Sequence, residues 1–341
     1  MLFQPHLREN PRKQNKTSSP GVIWRGDSVI DGVPETLDFL RSLGKRLVFV
    51  TNNSTKSRAG YLSKFTSLGL SVKAEEIYSS SYAAAAYLES IDFPKDKKVY
   101  VIGEDGIGEE LDLKGIRHSG GTADKDKKVE LKPGYALPHD DDVGAVVVGF
   151  DRNLNYYKIQ YATLCISENP GCHFIATNTD ARTHLTGKRV GFWGESFFFE
   201  GGKKLGKNSP QKNNTLQILT KRKTSSCSTD AQEWAGNGSM VGAIKGATRQ
   251  EPTVVGKPAE FMLADIAKKF NLKRSQICMV GDRLDTDILF GSHGGLATML
   301  VLSGVTTEQA LLAPENTIHP NYYTESLADL LAVKKGEAVK A

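Results

Sequence analysis

The sequence predicts an α/β fold in which a parallel sheet is covered by helices on both faces. From Val22 onward, short apolar runs of strand length alternate with amphipathic stretches of helix length. This alternation is typical of parallel sheets, because their strands are joined by helical crossovers. Polar residues directly follow several of the apolar runs, and ligands in such sheets bind beyond the carboxyl ends of the strands. The residues just after each predicted strand are therefore the first candidates for a functional site.

The predicted strands are the apolar runs 46–50, 98–102, 143–148, 173–176, 252–255, 276–280 and 298–302. The predicted helices are 34–43, 56–67, 82–89, 156–168, 259–270 and 286–290. Pro34 suits a helix N-terminus, because the N–H group that proline lacks would be unpaired there. Residues 103–108 resemble a glycine-rich nucleotide loop, but we interpret them as a plain strand–turn–helix junction.

Length and composition indicate an ordinary globular protein. The 341 residues suggest about two domains, and the chain is 39% hydrophobic and 24% charged. No apolar run reaches the roughly 18 residues of a membrane span. Four cysteines without metal-ligand spacing indicate reduced thiols, and residues 1–20 lack the apolar stretch of a secretory signal. We therefore expect a cytoplasmic protein rather than a chloroplast protein, without a membrane partner.

Two segments, 1–20 and 187–229, break the strand–helix pattern. Residues 187–229 have no sustained period and are rich in Lys, Ser, Gly and Asn, so we expect a disordered insertion there. The two segments carry net charges of +3 and +7, while the whole chain carries +5. The remainder is therefore acidic, and the scattered lysines form no recognition module. These observations argue against a nucleic-acid partner.

A first polar cluster, Thr51-Asn52-Asn53-Ser54-Thr55, follows the predicted strand 46–50 and precedes a helix. Hydroxyl groups, amides and free N–H groups at a helix N-terminus suit an anion such as phosphate. Alternatively, Ser54 or Thr55 only caps the helix.

A second cluster, Gly256-Lys257-Pro258, follows the predicted strand 252–255. Pro258 can open the next helix, which places Lys257 where it could neutralise a phosphoryl group. The alternative for Lys257 is a solvated surface lysine.

The third cluster contains Asp282, Asp285 and Asp287 directly after the predicted strand 276–280. Mg²⁺ prefers oxygen ligands and usually takes one or two carboxylates together with water and substrate phosphate. Asp282 lies nearest the strand end and is the expected Mg²⁺ ligand. Asp285 and Asp287 fall where a helix starts, so one of them could instead cap the helix or interact with the positive end of its dipole.

The order of these three clusters resembles that of the haloacid dehalogenase superfamily. Further stretches resemble its phosphoglycolate phosphatase and 4-nitrophenyl phosphatase family, with the plant members nearest. These stretches are 32–36, 49–58, 146–157, 174–180 and 276–290. The resemblance covers about 21–186 and 230–330. It implies a Rossmann-like core, at 21–80 and 246–341, and an inserted α/β cap domain, at 81–245.

The resemblance also implies a reaction and residue roles. Family members hydrolyse small phosphorylated metabolites with Mg²⁺, through an aspartyl-phosphate formed on one Asp, while a second Asp two residues later acts as acid and base. Thr51, Asn52 and Asn53 would hold the phosphoryl oxygens, and Lys257 would steady nucleophile and phosphate. Asp282 would bind Mg²⁺, with Asp287 and Asp285 behind it. The cap would approach the substrate through residues 176–184 and could form homodimers.

The sequence departs from this family in its first motif. Family members read Asp-x-Asp-Gly-Val-Ile-Trp after an apolar strand, whereas this chain matches only from Gly21 onward. Ser18 stands at the nucleophile position and Pro20 at the acid–base position, and no apolar strand precedes them. The first core strand is therefore expected to be missing.

Two functional interpretations follow. The first is a Mg²⁺-dependent phosphatase acting on 2-phosphoglycolate or a similar metabolite, in which 1–20 is a mis-spliced first exon and 187–229 a translated intron. The second is a catalytically impaired isoform that binds phosphate ligands without turnover.

Overall fold

The computed structural model describes residues 21–183, 196–200 and 234–331. The strands are β1 (Trp24–Arg25), β2 (Ser28–Val29), β3 (Leu47–Thr51), β4 (Ile77–Ser79), β5 (Lys98–Ile102), β6 (His118–Gly120), β7 (Val143–Val148), β8 (His173–Ala176), β9 (Arg182–Thr183), β10 (Ser196–Glu200), β11 (Trp234–Ala235), β12 (Thr253–Val254), β13 (Ile277–Gly281), β14 (Ala297–Val301) and β15 (Tyr322–Thr324). The helices are α1 (Val33–Ser42), α2 (Arg58–Ser67), α3 (Ser80–Ser90), α4 (Asp105–Asp112), α5 (Tyr156–Glu168), α6 (Asn237–Thr248), α7 (Phe261–Phe270), α8 (Leu289–His293) and α9 (Glu308–Leu311). Within these ranges, no helix is both long and apolar enough to cross a lipid bilayer.

The larger sheet forms the core domain and has the strand order β15-β14-β13-β10-β3-β4. Its strands are parallel except β10. On one face, Leu37 of α1 and Phe65 of α2 pack against Phe49 of β3. On the other face, helices α3 and α7 cover β3 through Ala84 and Met262. The predicted α/β class is therefore confirmed.

Strand β10 corrects the expectation that 187–229 is disordered throughout. Residues 196–200 of that segment pair antiparallel with both β3 and β13 in the middle of the core sheet. Phe198 is 2% exposed and lies 5.9 Å from Phe290, centroid to centroid. A position between two strands has unpaired backbone groups and apolar neighbours on both sides. A short aromatic segment can form the hydrogen bonds and pack against these neighbours, even when its sequence shows no helical or strand periodicity. The other residues of 187–229 lie outside the described residues.

Strand β10 takes a central position in the core sheet, between β3 and β13. Residues 1–20 lie outside the described residues, and the described chain begins at the buried residues Val22 and Ile23. The described chain thus fills the central position of the sheet with a strand that comes from the insertion and runs in the opposite direction to its neighbours.

The smaller sheet forms the cap domain, with the parallel strand order β12-β8-β7-β5-β6. Strand β12 belongs to this sheet, because Thr253 and Val254 pair with Ile175 and Ala176 of β8. The expected boundary at residue 246 is therefore wrong, since the chain returns to the core only after Val254. The sequence could not reveal this boundary, because two residues of strand carry no sign of which sheet they join.

The two ends of the insertion meet at a short strand pair. Strands β9 and β11 are antiparallel, with Thr183 opposite Trp234 and Arg182 opposite Ala235. The chain therefore leaves the cap and re-enters it at one place, as an inserted segment must.

Candidate active site

Asn52 connects the ends of two chain segments that are far apart in sequence. It follows β3, and its side-chain Oδ1 accepts a hydrogen bond from the backbone N–H of Lys257 at 2.8 Å. Its Nδ2 donates to the Lys257 carbonyl at 2.9 Å and to Oδ2 of Asp180 at 3.2 Å. Both hydrogens of this amide are thereby used within the protein, so the Asn52 side chain holds the backbone of Lys257 in place. The sequence could not show this, because the partner lies about 200 residues away.

Lys257 is a buried lysine and not a solvated surface residue. Its Nζ lies 2.8 Å from Oδ1 of Asp287 and 3.4 Å from the carbonyl oxygen of Val50. The side chains of Lys257 and Asp287 are 2% and 1% exposed. Gly256 allows this turn, because a Cβ there would lie 2.1 Å from the carbonyl oxygen of Thr177. The structure thus places a paired positive charge at the ends of the core strands.

Asp282 is completely buried directly after β13. Its Oδ2 accepts a hydrogen bond from the backbone N–H of Val305 at 2.9 Å, while its Oδ1 has no hydrogen-bond partner among the described residues. Burial raises the pKa of Asp282 to about 7, and the nearby Asp287 carboxylate adds to this. Gly304 covers the carboxylate, since a Cβ there would lie 2.1 Å from Oδ2. A buried carboxylate oxygen without a donor is a suitable ligand for a cation.

Asp287 and Asp285 have different surroundings, although they are two residues apart. Oδ2 of Asp287 accepts hydrogen bonds from the backbone N–H groups of Asp282 and Arg283, both at 3.1 Å. Asp287 therefore fixes the Asp282 turn while its other oxygen holds Lys257. Asp285 is 64% exposed at its side chain and is bound by the guanidinium group of Arg283. The structure thus does not bring Asp285 behind the expected metal ligand, because its ion pair holds it at the surface.

Thr51 and Asn53 are buried at the carboxyl end of β3. The Thr51 hydroxyl oxygen accepts a hydrogen bond from the Asn53 N–H at 3.2 Å, and Oδ1 of Asn53 accepts one from the Thr55 N–H at 2.9 Å. Accepting leaves a hydroxyl its own hydrogen to donate. The N-cap of α2 is Ser57, which accepts from Gly60 N–H, and not Ser54 or Thr55.

The cap contributes Asn178 and Asp180, which belong to the stretch 176–184 that was expected to approach the substrate. Asn178 Nδ2 donates to the carbonyl oxygen of Asn52 at 2.8 Å, and the Asp180 carboxylate reaches the Asn52 amide. Burial raises the pKa of Asp180. Both residues directly follow β8, in keeping with the rule that polar residues beyond strand ends are the first candidates for a site. His184, at the end of that stretch, lies outside the described residues.

At this cluster, Oδ1 of Asp282 is a buried carboxylate oxygen that could face a divalent cation. The described residues contain no group of three His, Cys, Asp or Glu side chains that could hold a metal ion. This donor set fits Mg²⁺ only with further ligands from water or substrate, which is how Mg²⁺ is usually held.

The backbone register of β10 sets its two ends at opposite edges of the core sheet. The register sets Ser196 opposite Val50, at the site edge of the sheet, and Glu200 opposite Ile277, at the far edge. Ser18 and Pro20 lie outside the described residues. The first aspartate in the sequence is Asp27, which is bound to Lys64.

Comparisons with known proteins give consistent results. A family model described as haloacid dehalogenase-like hydrolase matches residues 19–117, and one described as HAD-hydrolase-like matches residues 254–330. Phosphoglycolate phosphatase 1A, chloroplastic, of Arabidopsis thaliana is 58% identical over 314 residues, covering 92% of this chain and 75% of that protein. Phosphoglycolate phosphatase 2 of the same plant is 49% identical over 312 residues, covering 91% and 89%. The structure of a p-nitrophenyl phosphatase from Archaeoglobus fulgidus superposes with a TM-score of 0.67 at 27% identity, covering 92% of this chain and 95% of that one.

Proposed function

Because the chain belongs to the phosphoglycolate phosphatase and 4-nitrophenyl phosphatase family of haloacid dehalogenase-like hydrolases, we propose that its site binds the phosphoryl group of 2-phosphoglycolate together with Mg²⁺. Close similarity to phosphoglycolate phosphatases supports a phosphatase function. We further propose that hydrolysis requires the two carboxylates of the first motif, which have no counterpart at Ser18 and Pro20 of this chain.

One observation carries the proposal: the Asn52–Lys257 hydrogen bonds and the Lys257–Asp287 ion pair tie three strand ends into a single buried cluster. Lone surface residues with the same sequence spacing would not need to be buried or paired. A buried ammonium group, a hydroxyl donor and a helix N-terminus together favour a compact dianion such as a phosphate monoester.

Each residue has a role in binding. The Lys257 ammonium group offsets phosphoryl charge, because it brings a positive charge to the site. Asn52 sets the position of Lys257 by holding both sides of its peptide backbone. Thr51 donates its hydroxyl hydrogen to a phosphoryl oxygen. Asp282 would hold Mg²⁺ through Oδ1, and the cation would supply charge neutralisation for the phosphate.

Binding can be tested by titrating the full-length chain with 2-phosphoglycolate in the calorimeter, with and without Mg²⁺. We expect saturable binding that weakens at least tenfold in Lys257→Met, since a charge-assisted hydrogen bond is lost. Lys245→Met is the control, because that lysine is half-exposed and pairs with Glu251 in the cap. Absence of binding by the unmodified chain, or equal binding by Lys257→Met, would contradict the proposal.

A second candidate function is that of a catalytically impaired isoform, and the place of β10 favours it. A strand from the insertion fills the middle of the core sheet, so the chain can complete its core without an N-terminal strand. An isoform of this kind should unfold cooperatively, and it should bind phosphate ligands without hydrolysing them. A circular dichroism melt without a cooperative transition, or full-length transcripts that lack the codons for 187–229, would exclude it.

Assembly and location remain predictions from the family resemblance and the sequence. A homodimer through the cap is tested by light scattering on the purified chain. The cytoplasmic location is tested by a carboxyl-terminal fluorescent fusion expressed from the complete transcript. That test matters because the relative 1A is described as chloroplastic.

A further inference from the structure

The glycine-rich segment 103–108 lies directly on the phosphate loop, which we define as residues 51–58. At the start of α4, the N–H of Gly106 donates to the carbonyl oxygen of Thr55 at 3.3 Å. A Cβ on Gly106 would lie between 2.3 and 2.6 Å from the backbone atoms of Lys56. Only glycine therefore lets the cap helix approach the loop this closely.

One turn further along α4, Glu110 binds the end of the same loop. Its side chain is fully buried, and Oε1 accepts a hydrogen bond from the backbone N–H of Arg58 at 2.6 Å. The Arg58 guanidinium group meets both carboxylate oxygens, with Nε at 3.1 and 3.0 Å and Nη2 at 2.9 Å. Arg58 is the first residue of α2, so the carboxylate also lies at the positive end of that helix.

The Arg58 side chain is held from its other side as well. Its guanidinium carbon lies 4.0 Å from the centroid of the Tyr82 ring, in α3. Arg58 is thus fixed between the carboxylate of a cap helix and an aromatic ring. This geometry is suited to the planar guanidinium group and not to a lysine.

The rest of the phosphate loop is also held from outside. Ser80 donates to the Asn52 carbonyl at 2.6 Å, and Ser81 donates to that of Lys56 at 2.7 Å. The Ser54 hydroxyl accepts from the Phe150 N–H, at the end of β7, at 3.3 Å. Among the groups that hold the loop, Glu110 is charged, comes from the cap, and binds the loop through Arg58.

We infer that Glu110 is a positioning residue for phosphate recognition, which fixes the phosphate loop through Arg58 and so makes phosphate affinity depend on the placement of the cap. This rests on the proposed function in one respect, namely that the loop binds phosphate. The ligand class is a phosphate monoester or inorganic phosphate. Removing the buried Glu110 carboxylate would leave the guanidinium group of Arg58, whose side chain is 19% exposed, without its ionic partner, and this should loosen the loop.

The test compares Glu110→Ala and Glu110→Gln with Asn169→Ala in the full-length chain. Asn169 is buried near the amino end of the central cap strand β7, where its amide donates to the carbonyl oxygens of Asp140 and Val143. Its substitution therefore destabilises the cap without touching the phosphate loop. The two readouts are hydrogen–deuterium exchange of residues 53–58 and calorimetric affinity for inorganic phosphate and 2-phosphoglycolate.

We expect Glu110→Ala to speed hydrogen–deuterium exchange in the loop. It should also lower the affinity for both ligands about tenfold, as the loss of a positioning contact does. Glu110→Gln keeps a hydrogen-bond acceptor for the Arg58 N–H. Its loop exchange and its ligand affinity should therefore both lie close to those of the unmodified chain. Asn169→Ala should lower the melting temperature while leaving both readouts unchanged. Unchanged loop exchange in Glu110→Ala would overturn the inference whether or not any ligand binds. Absence of binding by the unmodified chain would instead count against the proposed function.

Discussion

The Nζ atom of Lys257 lies 2.8 Å from Oδ1 of Asp287, and both side chains are almost entirely buried. The pair joins the segment after β12 to the turn after β13. Because the other Asp287 oxygen accepts from the backbone of that turn, the ion pair, the turn and the Asp282 carboxylate form one structural unit.

Lys257→Met should destabilise the fold as well as weaken ligand binding. Removing one member of a buried ion pair leaves an uncompensated charge and costs about 3–5 kcal/mol. Urea denaturation measures this loss. The control Lys245→Met should change the free energy of unfolding by no more than about 0.5 kcal/mol, because that lysine is half-exposed. Equal stability of the two variants would show that Asp287 does not depend on Lys257.

Asp282 should make stability depend on pH and on Mg²⁺. Its pKa rises from an ordinary 3.8 to about 7 in the folded protein, mainly through burial. Between these values the folded chain holds a proton that the unfolded chain has released, so stability falls as pH rises through this window. Mg²⁺ favours the ionised carboxylate and should therefore raise the melting temperature more at pH 8 than at pH 5. In Asp282→Asn both effects should disappear, and their persistence would rule out Asp282 as their source.

Gly304→Ala should abolish the Mg²⁺ response without removing any ligand. The added methyl group would overlap the Asp282 carboxylate at 2.1 Å and force it to move. Gly242→Ala is the matched control, since it lies in α6 with no atom within 4 Å of the new Cβ. The control should keep its Mg²⁺-dependent shift in melting temperature. An unchanged shift in Gly304→Ala would place the cation elsewhere.

Phe198→Ala should be strongly destabilising, because β10 is a central strand. Phe198 is 2% exposed in the main core cluster, and truncating a buried phenylalanine costs about 3–5 kcal/mol. Leu131→Ala serves as the control, since Leu131 is 80% exposed. Chemical denaturation compares the two. If Phe198→Ala were as stable as the control, residues 196–200 would not belong to the folded core.

The sequence predicts most of the regular elements because their apolar periodicity is local. Strands β5, β7 and β8 and helix α5 have the predicted bounds, and residues 103–108 are the predicted strand–turn–helix junction. Lys257 and Asp282 also lie at the predicted strand ends. What the sequence could not give depends on distant partners: the membership of β12 in the cap sheet, the position of β10, and the hydrogen bonds that commit the Asn52 side chain.

Strand β10 also affects how activity could be restored. The double substitution Ser18→Asp and Pro20→Asp supplies both carboxylates, but the sequence before them has no apolar strand to displace β10. We expect this variant to remain inactive. A second variant replaces residues 1–20 with an apolar strand ending in Asp-x-Asp directly before Gly21, and it omits 187–229.

Phosphate release from 2-phosphoglycolate by that second variant, measured beside the unmodified chain, tests the central claim most directly. The claim is that the phosphate and metal positions are built and that only the first strand with its carboxylates is missing. We predict Mg²⁺-dependent phosphate release by the variant and binding without release by the unmodified chain. A variant that folds but is inert on both 2-phosphoglycolate and 4-nitrophenyl phosphate, or an unmodified chain that releases phosphate equally fast, would contradict it.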